Sequence, residues 1–378
     1  MRATAASVLV RGESPTRLVN AVRELASNLG RPAGGLVVTA GGMATKLQSI
    51  AEGLGRAQLG FPVLAASGSG VITERGEVEG ESAAAALVWL GGATDAWVRP
   101  EAGAELCIGV GRELAERNPA QRTETALVFL RPNGLQPHTL EALHGLKATH
   151  IIGAGTLSDS DVFAIDASGA LSHGPGGALT IRGLPRPLVK ASPACRLLMP
   201  LREITEASGP MVLRIGGEPA LEVLSAVAHA LVDQPLVFVA LATEAGEDGV
   251  RPPLLLRAVQ GVDPTRHGLI VSEEVRAGMR MAFAVRDPSA ARADFEMRTR
   301  ELSRESAGAA PRFGICLNCA GRGVSLYKNP DSDLRLLKAR FGEIPWLGSF
   351  SSFEIAPHSA EPSLQLYTAV VGLFTSPS

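Results

Sequence analysis

One pattern recurs three times along this chain and restricts its fold more than any other feature. An apolar run leads through a turn and a helical period to a second apolar run. A glycine- or serine-rich loop follows, and then a third apolar run. In the first copy these are residues 35–39, a helix over 45–54 stopped by Gly55, a strand at 62–66, the loop 67–70 and a strand at 86–90. The second copy reads 126–130, a helix over 139–146, 150–155 and 178–181; the third reads 313–317, a helix over 333–341, 345–348 and 368–374. Ahead of the first copy, residues 8–10 form a further short strand. Leu18, Val22, Leu25 and Leu29 then recur at helical spacing until Gly30.

Joining the first two strands of each copy through a helix favours a parallel pair with a right-handed crossover. The third strand arrives after a loop and is expected to pair antiparallel. The expected fold class is therefore α/β in the α+β sense: mixed sheets covered by helices, built from repeated strand–helix–strand–strand units in two pseudo-similar halves. A stretch with four prolines, 185–200, reads as a loop, and a boundary is placed near 206–209, giving domains 1–207 and 208–378. Aromatic residues are only 4% of the chain, so the core has to be built from Ala, Val and Leu.

Lys and Arg number 36 against 38 Asp and Glu, a formal charge of −2, which supplies no positive field for nucleic acid or an anionic membrane. The N-terminal apolar run is short and meets Arg11 and Glu13, so a signal peptide is not expected. The longest membrane-span candidate is broken by Glu222, His229, Asp233 and Pro235. A cytoplasmic location is expected, with the four cysteines as free thiols.

Cys316 and Cys319 stand three apart near a strand end, where alternation puts them on opposite faces. Cys107 and Cys195 have no neighbour at metal-ligand spacing, so zinc is not expected. Cys316 reads as an inert core thiol. Cys319 either fills a tight corner or is a ligand-contacting thiol, beside an Arg322 whose charge would favour the thiolate. The turn Gly321-Arg322-Gly323 lets backbone approach a ligand, and its amides can bind an anion. Arg322 either grips a carboxylate or forms an ion pair with Glu354 that clamps two loops. The loops at Ser67-Gly68 and Gly153 lack the glycine spacing of a dinucleotide turn. They read as small-residue strand ends lining a shared pocket with Ser349. Neither a nucleophile elbow nor paired carboxylates occur, so no enzyme activity and no cofactor are expected.

Cys319-Ala320-Gly321-Arg322-Gly323, the segment 345–350 and Glu354-Ile355 resemble the C-terminal half of the FIST domain family, and 213–221 resembles the junction of that family's two halves. Segments 35–39, 62–70 and 151–155 resemble its N-terminal strand-and-loop signatures. Two departures stand out: Phe353 replaces the glycine before the glutamate, and Leu364-Gln365-Leu366-Tyr367 replaces polar Asn and His. The resemblance implies a stand-alone sensory domain that binds a small, amino-acid-like ligand and passes its output through a protein partner or a homo-oligomer. It also implies an alternative, a recruiting adaptor with a vestigial pocket. The implied ligand-binding residues are Ser67, Gly68, Gly153, Cys319, Gly321, Arg322, Gly323, Ser349 and Glu354.

Overall fold

The computed structural model describes residues 3–157, 159–229, 231, 236–242, 253–358 and 360–376. The first unit contains β1 (Ala5–Arg11), α1 (Pro15–Leu29), β2 (Gly34–Ala40), α2 (Leu47–Arg56), β3 (Val63–Ser67), β4 (Gly70–Thr73), β5 (Gly76–Glu79) and β6 (Ala83–Trp89). The second contains β7 (Ala93–Arg99), α3 (Ala104–Arg117), β8 (Glu124–Leu130), a 3₁₀ turn (Pro137–Leu143), β9 (Thr149–Gly155), β10 (Val162–Ile165), β11 (Leu171–Gly174) and β12 (Gly176–Arg182).

The third unit opens with β13 (Leu188–Pro193) and is then interrupted. A separate sheet is formed by β14 (Cys195–Leu197), β15 (Arg202–Ser208), β16 (Met211–Ile215), β17 (Glu218–Pro219), β18 (Val237–Ala242), β19 (Leu255–Asp263), β20 (Gly268–Val271) and β21 (Arg280–Arg286), with α4 (Ala220–His229) packed on it. The unit resumes with α5 (Pro288–Glu305), β22 (Pro311–Cys319), α6 (Gly323–Tyr327), α7 (Ser332–Phe341), β23 (Trp346–Ser351), β24 (Glu354–His358), β25 (Glu361–Gln365) and β26 (Thr368–Thr375).

The sheets are assembled by exchange. The first has the order β1-β6-β2-β3 and is completed by the hairpin β10-β11 of the second unit. The second unit's sheet, β7-β12-β8-β9, is completed by β24-β25 of the third, and the third's, β13-β26-β22-β23, by β4-β5 of the first. Within each sheet the helix-linked pair is parallel, namely β2–β3, β8–β9 and β22–β23. The returning strands β6, β12 and β26 pair antiparallel, as the connection lengths predict.

The inner faces of the three sheets share one core, in which Leu36, Phe129, Ile152, Phe313, Leu347 and Phe374 are all buried. Helices α1 and α2 cover the first sheet, α3 the second, and α5 and α7 the third. With few aromatic side chains, the alanines of β6 let these layers approach closely; the exception is a stack of Trp89, Phe313 and Phe374, with centroids 5.6 Å and 4.4 Å apart.

Local readings shift in three places. The helix expected over 45–54 is a 3₁₀ turn (Gly41–Lys46) followed by α2, which runs past Gly55. That glycine is required by contact, since a Cβ there would lie 2.7 Å from the Gly169 carbonyl oxygen in the β10-β11 turn. The helix expected over 139–146 is a 3₁₀ turn. The proline-rich stretch 185–200 carries β13, an edge strand that tolerates Pro193 at its end. Of residues 206–209, where the boundary was expected, 206–208 end β15 and Gly209 begins the turn to β16.

Candidate functional site

The strands β3, β9 and β23 end at one place, and their loops bond to each other there. Ser67 Oγ accepts from the Leu157 amide at 3.3 Å, and the Ser69 amide donates to the Phe350 carbonyl at 2.8 Å. The Gly155 amide donates to the Phe353 carbonyl at 2.8 Å, and Ser352 Oγ to the Thr156 carbonyl at 3.2 Å. Ser67, Thr156, Ser349, Ser351 and Glu354 are all buried. A Cβ on Gly68 would collide with Ser349 Oγ, and one on Gly153 with the Val128 carbonyl. Of the small residues read as pocket lining, Gly68 lies against Ser349, whereas Gly153 packs against Val128 and Ile355, so protein atoms fill the space beside each glycine.

Phe353 follows the same logic. Its ring occupies the space beside Gly155 where a side chain would otherwise sit, and it joins the second unit's core with Leu364. Phe353 is therefore a packing element.

Arg322 is fully buried, and its partner is Asp333, not Glu354 as one reading of the sequence had it. Nε donates to Asp333 Oδ2 at 2.5 Å and Nη2 to Oδ1 at 3.3 Å, while Nη1 and Nη2 donate to the carbonyls of Ser192 (2.9 Å) and Ala291 (3.4 Å). The guanidinium also lies 5.2 Å from the Phe295 ring centroid and 5.7 Å from that of Tyr327. Burial works against its charge, but Asp333 outweighs this and raises the guanidinium pKa. Tyr327 Oη and Asn318 Nδ2 complete the carboxylate's shell at 2.9 and 3.1 Å. Protein acceptors thus take four of the five guanidinium N–H groups.

The anion expected at the glycine turn is present, and it belongs to the chain. Glu79, on the exchanged strand β5, accepts from the Val324 amide at 2.8 Å, and a Cβ on Gly323 would collide with its Oε1. Glu77, on the same strand, accepts from the amides of Asp331 (2.8 Å) and Leu334 (3.2 Å) at the start of α7. Glu74 accepts from the Trp346 amide at 3.1 Å. Burial, reinforced by the Asp333 charge, pushes the Glu77 carboxyl up to about 8, and burial also raises Glu79. Three glutamate side chains of one hairpin therefore dock it onto the third unit. The Gly321 carbonyl accepts from Arg286 and, at 3.2 Å, from Ser325 Oγ.

Cys319 and Glu354 are neighbours in the interior. Glu354 Oε1 accepts from Ser351 Oγ at 2.9 Å, its Oε2 has no partner among the described residues, and burial raises its pKa well above the usual carboxylate range. Burial and the Glu354 charge push the Cys319 thiol up to about 12. The expectation that Arg322 favours a Cys319 thiolate fails because Arg322 is turned to Asp333 and desolvation dominates at the sulfur.

Open space lies elsewhere. A cleft of about 490 Å³ runs between the inserted sheet and the β24-β25 hairpin, and is lined by Arg257, Glu273, Glu274, Arg276, Glu361 and His144 among others. Arg257 is 1% exposed, and its Nε and Nη2 reach Glu273 Oε2 at 2.7 and 2.6 Å. The opposite wall is pinned by the Gly145 amide donating to Glu361 Oε2 at 3.1 Å and by His144 Nε2 against the Pro362 carbonyl at 3.1 Å. Sequence reasoning missed this site. Its signal is Arg257 inside the apolar run Leu254-Leu255-Leu256, followed by the adjacent carboxylates Glu273-Glu274.

The FIST C domain family matches residues 220–357, a span that holds Arg257, Cys319, Arg322 and Glu354. An uncharacterized protein of Mycobacterium tuberculosis (strain ATCC 25618 / H37Rv) is 28% identical over 190 residues, which cover 48% of this chain and 49% of the relative. An uncharacterized protein of Mycobacterium bovis (strain ATCC BAA-935 / AF2122/97) is 26% identical over 201 residues, 51% of each. The chain spans about half the length of the curated relatives it matches.

Proposed function

From a chain that carries a FIST C domain, we propose a non-enzymatic sensory domain that binds a small, amino-acid-like ligand in the cleft beside Arg257. Its output passes to a protein partner or a second copy, and neither nucleic acid nor a membrane is its target. The observation that carries this reading is the buried Arg257 in a cleft of about 490 Å³ that also presents Arg276, Glu274 and Glu361. A ligand with one carboxylate and one ammonium needs both signs of charge within a few ångströms, and guanidinium groups suit the carboxylate. The volume lies within the roughly 300–1,000 Å³ range of small-molecule sites. The cleft also separates the inserted sheet from the exchanged hairpin, so a ligand touching both walls would couple two parts of the fold.

A thermal-shift screen against amino acids and small carboxylates tests it, repeated on Arg276→Ala, which alters an exposed side chain. A ligand at about 100 times its dissociation constant adds roughly 2.7 kcal/mol of stability. A shift lost in the variant supports the cleft. Silence across the screen sinks it and leaves the adaptor reading, which the closure of the strand-end loops by Ser67, Ser349 and Phe353 favours. A partner captured without any added metabolite then becomes the expected finding.

A further inference from the structure

A second, smaller cavity of about 190 Å³ lies on the other side of His358, between β13, α5 and the β24-β25 hairpin. Among the described residues its polar lining consists of Lys190, Arg298, His358 and Gln365, without a carboxylate; prolines and aliphatic side chains make up the rest. We propose that this cavity is a binding site for a small oxyanion, inorganic phosphate or a short carboxylate, separate from the cleft beside Arg257.

Three observations carry the proposal. Gln365 is only 2% exposed and lines the cavity, yet no hydrogen bond joins its side-chain amide to another described residue. The N–H groups of that amide are therefore free to donate to an oxyanion that enters the cavity. Arg298 Nε is buried and donates to no described residue; Asp294 Oδ2 stands 3.9 Å away. Carboxylates of α5 pair with both cations: Arg298 Nη1 meets Glu301 Oε2 at 3.1 Å, and Lys190 Nζ meets Glu305 Oε1 at 2.5 Å and Glu301 Oε2 at 3.8 Å. That support orients the cations while leaving further N–H groups on each to donate, since a guanidinium carries five and an ammonium three. The volume is several times the roughly 30 Å³ of one water and below the roughly 300 Å³ where drug-sized sites begin, which selects a small ion.

The test titrates the full chain with sodium phosphate and, separately, sodium acetate, against sodium chloride at equal ionic strength, reading melting temperature and calorimetric heat. A saturable response to phosphate or to acetate that chloride does not produce is expected, and whichever salt gives it identifies the oxyanion. Gln365→Leu and Lys190→Gln should each weaken that response by about tenfold to a hundredfold, the value of one charge-assisted hydrogen bond. Lys190 is partly exposed, so its variant keeps the test open if Gln365→Leu does not fold. Arg276→Ala should leave the response intact, which separates this site from the proposed ligand cleft. Phosphate and acetate acting no better than chloride overturns the proposal, and so does an undiminished response in Lys190→Gln.

Discussion

Replacing Arg322 by alanine distinguishes a structural arginine from a ligand-binding one. In the fold, the side chain makes two hydrogen bonds to Asp333 and one each to the Ser192 and Ala291 carbonyls, all in the interior. Its removal leaves Asp333, 2% exposed, with only the neutral donors Asn318 and Tyr327. Breaking a buried pair from one side costs about 3–5 kcal/mol, because the surviving charge stays desolvated. At about 2 °C per kcal/mol for a long chain, the melting temperature should fall on the order of 5–10 °C. Adding Asp333→Asn to the variant should restore part of the loss by removing the stranded charge. Scanning fluorimetry with urea denaturation measures both. If Arg322→Ala melts within about a degree of the parent and instead abolishes a ligand response, the structural assignment of this arginine is wrong.

Two further outcomes follow from the buried groups. The Glu77 carboxyl sits near 8 in the fold against 4.5 for the free group, so between those values the unfolded chain has lost a proton that the folded one keeps. The stabilisation is complete below about 4.5 and disappears as pH rises to about 8, an effect on the order of a few kcal/mol that Glu77→Gln should flatten; equal urea-midpoint slopes from pH 5 to 8.5 in both proteins would count against it. Cys107, Cys195, Cys316 and Cys319 are all buried and outside any disulfide, and the Cys319 thiol is pushed up to about 12. A disulfide reagent at pH 7.5 should therefore find no fast thiol until denaturant is added, whereas rapid labelling of Cys319 would refute the neutral, enclosed thiol.

The strand runs at 35–39, 126–130 and 313–317 were legible because alternating or continuous apolar runs of that length have few other fates. Helix α1 could be bounded to the residue: Ser14 caps it by accepting from the Arg17 amide, Pro15 occupies the first turn, and Gly30 ends it at φ +99°. The 3₁₀ turns were less legible, since one short turn leaves no full helical period to read. The cleft beside Arg257 was legible only as an anomaly, an arginine in an apolar strand. Its second wall is donated by a hairpin about a hundred residues later.

Local chemistry thus determined the repeating unit, the parallel pairs, the antiparallel returns and the need for glycine at the Arg322 turn. Those depend on chain direction, loop length and backbone sterics, which neighbouring residues carry among themselves. Tertiary structure alone decided that each hairpin would leave its own unit for another's sheet. That exchange brings Glu77 and Glu79 of the first unit to the helix starts of the third. It also decided which carboxylate would meet Arg322. Asp333, eleven residues away, wins over Glu354 because the two ends of the guanidinium fork fit its buried oxygens, while Glu354 is turned toward Ser351. A pairing between charges is settled by which of them share one desolvated volume, and no spacing along the chain encodes that.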